Sequence, residues 1–398
     1  MNAGLGQTCA NDRDPQGIDM LLVGDPVPSF FVRGVTNPRF SFDSAAGRYI
    51  VVTFLGSGAS PGAQAFLAAM HAETKCLDDR FACAFIVTND PRDEQSGLLT
   101  ERQPGIRLFL DFDLEMATLF GAVGRQKDNG SAVALMTWIL DPGMRVLRIL
   151  PINDLATHYD DICAALDGQP APKADMDAWA PILVVPNVLE PDFCHKLITY
   201  AETVGLNDSG YMKTDPKTGE TVQVLDHVHK RRSDCSIDDE QLRNALKARI
   251  RRRLVPPIAR VFQFTVSRME RYIVARYDSK SGGHFRPHKD NTTLGTAHRR
   301  FAVSIGLDAD RYEGGDLRFP EFGPRTYRPP TGGAIIFSCS LLHEVLPVTS
   351  GERYAVLPFL YDEAAAQIRL ENAKHLQDAG LRENVIQSVT GDSRSKAE

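Results

Sequence analysis

Two rhythms of apolar residues meet at residues 167–181, DGQPAPKADMDAWAP, and this change of rhythm constrains the fold more than any other feature. The stretch carries three prolines, a glycine and charges, the composition of a connector. Upstream, strand and helix patterns alternate. RYIVVTFLG (48–56) is an unbroken apolar run, as expected of a strand buried on both faces. PGAQAFLAAMHAETKCL (61–77) has helical spacing and opens on a proline. CAFIVTND (83–90) and VALMTWILD (133–141) read as further strands, and ATHYDDICAAL (156–166) as a closing helix. That order predicts a small α/β layer domain. Downstream, two amphipathic helices come first: 190–205, with Phe193, Leu197, Ala201 and Val204 on one stripe, and 239–254. After Val261, short strands follow one another between Gly/Pro turns: RYIVARYD, RRFAVSIGLD, GGDLRFP, GGAIIFS and ERYAVLPFLYDE. That spacing predicts a β-sandwich or barrel.

At 398 residues the chain suits two domains, and its 43% hydrophobic and 24% charged residues are those of a globular protein. A net charge of −6 argues against general nucleic-acid binding. The run KARIRRRL (247–254) does not reverse this, because Leu242, Leu246, Ile250 and Leu254 recur every four residues and leave the arginines on a wet face. No apolar run approaches the ~20 residues that span a bilayer. The N-terminal residues lack a signal-peptide pattern, and seven scattered cysteines without a Cys-x-x-Cys pair suit a reducing compartment, so the expected location is the cytoplasm.

The chemistry concentrates in GGHFRPHKD (282–290). On a strand, His288 and Asp290 share a face. A facial metal triad needs one more histidine, and His343 in FSCSLLHEVLPV, 55 residues on, is the candidate. Ten residues later Arg353 offers a fork for an organic acid's carboxylate. His227 and His229 in DHVHK also stand two apart, but without a third ligand; they read as solvated residues or as contacts of a substrate loop. His284 and His298 read as supporting or surface residues, and Arg318 as either facing the barrel or solvated.

With these motifs in register, residues 180–365 resemble the Fe(II)/2-oxoglutarate dioxygenases of the prolyl 4-hydroxylase-like branch. The matching segments are Tyr277 and the glycine turn before HFRPHKD, YEGGDLRFPEFG, PPTGGAIIFSCSLLHEVLPV and GERYAVLPFLYD. The resemblance implies a double-stranded β-helix, or jelly roll, with flanking helices. It further implies that His288, Asp290 and His343 hold Fe(II), that Arg353 pairs with the distal carboxylate of 2-oxoglutarate, and that Tyr277 assists. Relatives more often have Lys at the Arg353 position. The implied reaction is O2-driven hydroxylation of a C–H bond with release of succinate and CO2. Its substrate is a prolyl or other residue of a protein or peptide, or a small metabolite. Whether ascorbate is also required stays open. The carboxylate of Asp290 favours hydroxylation over halogenation.

The first half resembles peroxiredoxins, and so a thioredoxin-like fold: GDPVPSFFV, GRYIVVTFLGSGASPGAQAFLAAM, LDFDLEMATLFGAV and WILDPGMRVLRI carry the likeness. Where that family places its peroxidatic cysteine, this chain has Ala63. Cys76, farther along the same expected helix, and Cys83 read as structural thiols. The expectation is a non-catalytic domain for docking an unidentified protein partner, homodimerisation or substrate presentation. The expected organisation is a tail (1–19), a peroxiredoxin-like domain (20–168), a linker (169–180), a dioxygenase domain (181–365) and a C-terminal helix and tail (366–398). The long polar loop 207–236 is of the kind that forms a lid over a site. Two alternatives stand beside this reading: a thiol peroxidase using Cys76 or Cys83, and a non-enzymatic metal-binding module.

Overall fold

A computed structural model of the chain describes residues 20–72, 76–125, 131–171 and 179–390. The expected N-terminal tail, most of the linker and the last eight residues lie outside these. The chain divides into two compact units, 1–173 and 174–398.

The first unit is built on the apolar run read as a doubly buried strand. It forms β1 (Tyr49–Gly56), followed by α1 (Ala63–Ala72), β2 (Ala82–Thr88), β3 (Ile106–Leu110), α2 (Glu115–Phe120), β4 (Met136–Leu140), β5 (Val146–Pro151) and α3 (His158–Leu166). The sheet order is β3-β2-β1-β4-β5, with β1–β3 parallel and β4 and β5 antiparallel to their neighbours. This is a thioredoxin-like fold. Alternate residues of β1 serve two cores, which is why its apolar run does not alternate. Tyr49, Val51 and Leu55 pack with Phe66 and Met70 of α1 and Ile162 of α3. Phe54 on the other face meets Phe120 and Trp138. α1 begins at Ala63 rather than at Pro61, because Gly62 turns the chain with φ +80°. Ala63 is fully buried, and Cys76 lies in a bend beyond the end of α1, not on it. Burial pushes the Cys83 thiol up to about 12, so it stays protonated and inert.

The second unit opens with β6 (Leu183–Val185) and α4 (Pro191–Val204), then β7 (Asn207–Asp208), the hairpin β8 (Tyr211–Thr214) and β9 (Thr221–Val224), β10 (Lys230–Arg231) and β11 (Ser233–Ser236). α5 (Glu240–Arg253) and α6 (Val255–Phe262) follow. The Asp239 carboxylate accepts from Leu242 N at 2.7 Å and caps α5, while Leu242, Leu246 and Ile250 are buried. Then come β12 (Arg268–Glu270), β13 (Ile273–Asp278), β14 (His284–His288), β15 (Phe301–Gly306), β16 (Tyr312–Gly314), β17 (Leu317–Arg318) and β18 (Thr326–Tyr327). β19 (Ala334–Ser338), β20 (His343–Val345), β21 (Val348–Val356), β22 (Phe359–Tyr361), α7 (Glu363–Asn372) and α8 (Ala379–Thr390) complete the unit. Apart from the β8–β9 hairpin, which stands as a sheet of its own, the strands form two antiparallel sheets. The larger runs β6-β19-β15-β21-β13-β11-β7, with β12, β16 and β22 joined to it; the smaller runs β10-β14-β20-β17-β18. This is the expected jelly roll. Its interior holds aromatic side chains, Tyr277, Phe285, Phe319, Phe337 and Phe359 among them. A second core, between the larger sheet and α4–α6, takes Phe193, Leu197, Leu246 and Ile250.

In four places the structure corrects or completes the sequence reading of this unit. Val204 ends α4 but is 57% exposed, and Cys194 takes the buried position instead. α6 fills a stretch in which the sequence reading places no element; its Pro256 and Pro257 sit in the first turn, where no backbone N–H is needed. The loop 207–236 is largely strand, and contributes β10 and β11 to the two sheets. Arg318 pairs in register with Glu344, on the opposite strand face from His343.

Candidate metal centre

His288 ends β14 and His343 begins β20, and the two strands pair antiparallel with these residues directly opposite. Cross-strand partners on one face bring their side chains together, and the imidazole centroids stand 4.2 Å apart. Just beyond β14, Asp290 is held by its own amide, which donates to the Cys339 carbonyl at 3.0 Å. Its carboxylate lies 3.7 Å from His288 Nε2 and 3.4 Å from His343 Nε2. Among the described residues, these three offer ligand atoms that all lie within 4.8 Å of one another.

Both rings are oriented from behind. His288 Nδ1 is 2.8 Å from the Arg286 carbonyl and His343 Nδ1 is 3.0 Å from the Leu341 carbonyl. A carbonyl only accepts, so each Nδ1 carries the proton and each Nε2 presents a lone pair to the shared point. Phe285 stacks on the His288 ring at 3.5 Å, and Phe337 stands edge-on to His343 at 4.6 Å. Burial, and next the His343 ring, hold His288 well below the usual histidine range, so its imidazole is neutral as a metal ligand must be. The donor set of two neutral imidazoles and a carboxylate fits Fe(II).

Arg353 and Tyr277 are register partners on β21 and β13, and both are almost wholly buried. The guanidinium carbon lies 5.1 Å from the Tyr277 ring centroid. Arg353 Nη2 donates to Ser304 Oγ at 2.9 Å, whereas Nη1 has no partner of good hydrogen-bond geometry, although the Tyr312 phenol lies close enough to the guanidinium to interact with it. A buried guanidinium with an unmet donor is a seat for a carboxylate. Two glycines make room here. A Cβ on Gly283 would stand 2.9 Å or less from the backbone of Tyr277 and Asp278. Gly315, at φ +66°, leaves space that a Cβ would take from Val348 and from Arg353 Cδ, 3.3 Å away.

The structure thus brings together His288, Asp290 and His343, and sets Arg353 against Tyr277. Of the other histidines, His284 is tied to the Gly282 and Val228 carbonyls, and His227 forms an exposed pair with Asp208. His229 packs on Tyr211 and on Phe285, the ring that covers His288. His298 is buried against Glu270 at 3.1 Å. Glu270 also takes Arg299 at 2.6 Å and Arg369 at 2.9 Å, and Arg299 Nη1 donates to the Asp290 carbonyl at 3.3 Å. The sequence reading missed Ser304, Glu270 and a cationic group at Lys230, Arg232 and Arg271. A signal for the last existed: Lys230, Arg232 and Asp234 alternate with the period of one strand face.

A His-Asp-His centre between two jelly-roll sheets, with a buried arginine ten residues after the second histidine, marks one class. Residues 272–361 match the 2OG-Fe(II) oxygenase superfamily, and the second unit carries a 2OG-Fe(II) oxygenase domain. That family implies Fe(II), 2-oxoglutarate and O2. The chain is 34% identical over 92 residues to the PKHD-type hydroxylase Mmar10_1675 of Maricaulis maris, which covers 22% of this chain and 41% of that protein. It therefore spans less than half the length of the curated relatives it matches. Among solved structures, it is similar to a Pseudomonas putida prolyl-4-hydroxylase, with 19% identity, a TM-score of 0.34, and 45% of this chain and 91% of that one covered. It is also similar to the peroxidoxin BcpB of Mycobacterium tuberculosis, with 19% identity, a TM-score of 0.34, and 38% and 99% covered.

Proposed function

We propose that this protein is a 2-oxoglutarate-dependent hydroxylase. On this reading His288, Asp290 and His343 hold Fe(II), and Arg353, steadied by Ser304 and flanked by Tyr277, binds the distal carboxylate of 2-oxoglutarate. The observation that carries it is the pair of facing imidazoles, each with Nδ1 committed to a backbone carbonyl and Nε2 aimed at the Asp290 carboxylate. The iron and its co-substrate, when bound, supply the O2-dependent oxidation of a C–H bond, with succinate and CO2 as products. The protein's part is to hold and exclude. The carbonyls of Arg286 and Leu341 fix the ring tautomers, Phe285 and Phe337 shield the rings, and the buried Arg353 makes the site selective for a dicarboxylate. Three protein ligands leave the other coordination positions to small molecules. The substrate is a prolyl or other residue of a protein or peptide, or a small metabolite, and the setting is cytoplasmic.

The first unit acts without redox chemistry of its own, as a docking or dimerisation module. Supporting this, Ala63 occupies the start of α1 and the buried Cys83 thiol is held in its protonated form. The test is succinate release from anaerobically purified protein given Fe(II), 2-oxoglutarate and air, beside His343→Ala. Succinate from the parent and none from the variant is expected. Failure of the parent to bind either Fe(II) or 2-oxoglutarate would refute the assignment.

A further inference from the structure

Cations beside the metal centre outnumber the anions that face them. Arg232 and Asp234 form a two-point pair, Nε–Oδ1 and Nη2–Oδ2 both at 2.7 Å, with 4% of the Arg232 side chain exposed. The same Asp234 Oδ2 also accepts from Ser209 Oγ at 2.6 Å and from Arg271 Nη2 at 3.3 Å. Asp234 is therefore committed to Arg232, and Arg271 keeps only the longest contact, to an oxygen already bonded twice. Lys230 pairs with no acid among the described residues: its Nζ donates to Ser209 Oγ at 2.7 Å and to the Gly210 carbonyl at 2.5 Å.

These cations border the centre. The Lys230 ammonium lies 5.2 Å from the centroid of Phe285, the ring stacked on His288. Arg271 lies over Phe359 at 5.3 Å, beside Arg299, which holds the Asp290 carbonyl. Arg232 stands 5.8 Å from the Tyr277 ring, which Arg353 also approaches. The Asp290 charge reaches both Lys230 and Arg271. Arg271 is further held at φ +65°, a left-handed conformation that side-chain-bearing residues rarely adopt. Strain of this kind persists where a side chain must be aimed, and 28% of this one stays accessible. Burial, and next the Arg232 charge, push Lys230 down to about 5 and Arg271 down to about 10. Both groups thus have less anionic compensation than their burial demands, although Asp234 and Asp290 supply part of it.

2-Oxoglutarate does not fill that role, since its distal carboxylate goes to Arg353 and its other end to the metal. We infer that Arg271 and Lys230, backed by the Arg232–Asp234 pair, bind an anionic group of the substrate, a carboxylate or a phosphate, and so select which C–H bond faces the metal. Arg271 supplies the planar fork that both anions accept, and Lys230, which burial holds largely neutral without a ligand, a donor that an approaching anion returns to its charged form. This inference rests on the oxygenase reading, and its test separates the two.

The full chain, loaded with Mn(II) and 2-oxoglutarate without O2, is titrated calorimetrically with three matched pairs. These are N-acetylproline and N-acetylprolinamide, the α-amides of N-acetylaspartate and N-acetylasparagine, and the amides of N-acetyl-O-phosphoserine and N-acetylserine. At least one anionic member binds tenfold or more tightly than its neutral partner, and the pair that does so distinguishes carboxylate from phosphate. Arg271→Gln brings that ratio close to one, and Arg271→Lys restores part of it. Ratios near one throughout in the parent, no binding of any anionic probe, or a preference that survives Arg271→Gln combined with Lys230→Met would each overturn the inference. The parent ratios decide even if a variant does not fold. Failure of Mn(II) or 2-oxoglutarate itself to bind refutes the oxygenase reading, and this inference falls with it.

Discussion

Replacing Arg353 with Gln should move ligand affinity and protein stability in opposite directions. The guanidinium is 2% exposed and its Nη1 has no hydrogen-bond partner, so without 2-oxoglutarate the fold carries a buried charge with an unmet donor. Such a group costs about 1–3 kcal/mol. Gln is shorter and neutral, and removes both the charge and the orphan donor, at the loss of one hydrogen bond to Ser304 worth roughly 1 kcal/mol. Unliganded Arg353→Gln should therefore be as stable as the parent, or more stable by ~1 kcal/mol. Binding goes the other way. Truncating one partner of a buried, hydrogen-bonded charge pair costs about 2–5 kcal/mol, which is about 30- to 4000-fold in the 2-oxoglutarate dissociation constant. Calorimetry on Mn(II)-loaded protein under nitrogen reads the affinity, and denaturant unfolding without co-substrate reads the stability. A variant that binds 2-oxoglutarate within threefold of the parent would refute the role of Arg353. A variant that loses several kcal/mol of stability before any ligand is added would refute the argument from its unmet donor.

Gly315→Ala forces a Cβ at φ +66° against Val348 and Arg353 Cδ, so a loss of about 2–3 kcal/mol in unfolding free energy, with weaker 2-oxoglutarate binding, should appear in the same two assays. Glu270→Gln leaves His298, Arg299 and Arg369 without the carboxylate they surround and should destabilise by about 3–5 kcal/mol in urea unfolding; an unchanged midpoint would deny the network its role. Asp308 is raised to about 6 by burial, above its usual range near 4. The folded state thus favours the protonated form, and the stability this gives below pH 4 is lost as pH rises through about 6. Asp308→Asn, which can still accept from Tyr354 N, should therefore gain up to about 3 kcal/mol over the parent at pH 8 and almost nothing at pH 4.

Much of the site was legible because its signals are local. His288 and Asp290 sit two apart, and period two predicts a shared direction; in the structure the strand ends at His288 and the turn after it brings Asp290 to the same point. The glycines were legible as turn residues. Their second purpose was not, since Gly283 is needed where the backbone passes Tyr277 and Gly315 where Arg353 lies, and both neighbours are remote in the chain. Arg318 illustrates the limit of period two. The alternation says that it shares a face with some residue of the next strand, but only the register with Glu344 says which face. The polarity of the loop 207–236 predicts a lid, yet Lys230 and Asp234 lie on strands, and the Asp234 carboxylate is met by the neighbouring Arg232 and by Arg271 from a remote segment.

The sequence by itself determined the α/β and β-rich layering of the two domains and the three metal-ligating candidates with the arginine that follows them, from residue identity, spacing and periodicity. The dioxygenase and peroxiredoxin types, and the meaning of Ala63, came from resemblance to known families. Tertiary structure alone decided that His288 and His343 face each other across one ladder, that backbone carbonyls choose their tautomers, and that Arg353 lies against Tyr277 with a donor to spare. It also decided that Arg232 and Arg271 share the Asp234 carboxylate, while Lys230 reaches it only through the Ser209 hydroxyl. Strand register and burial set these relations. Both depend on which distant segments pair, and pairing across tens of residues leaves no local trace in composition or period.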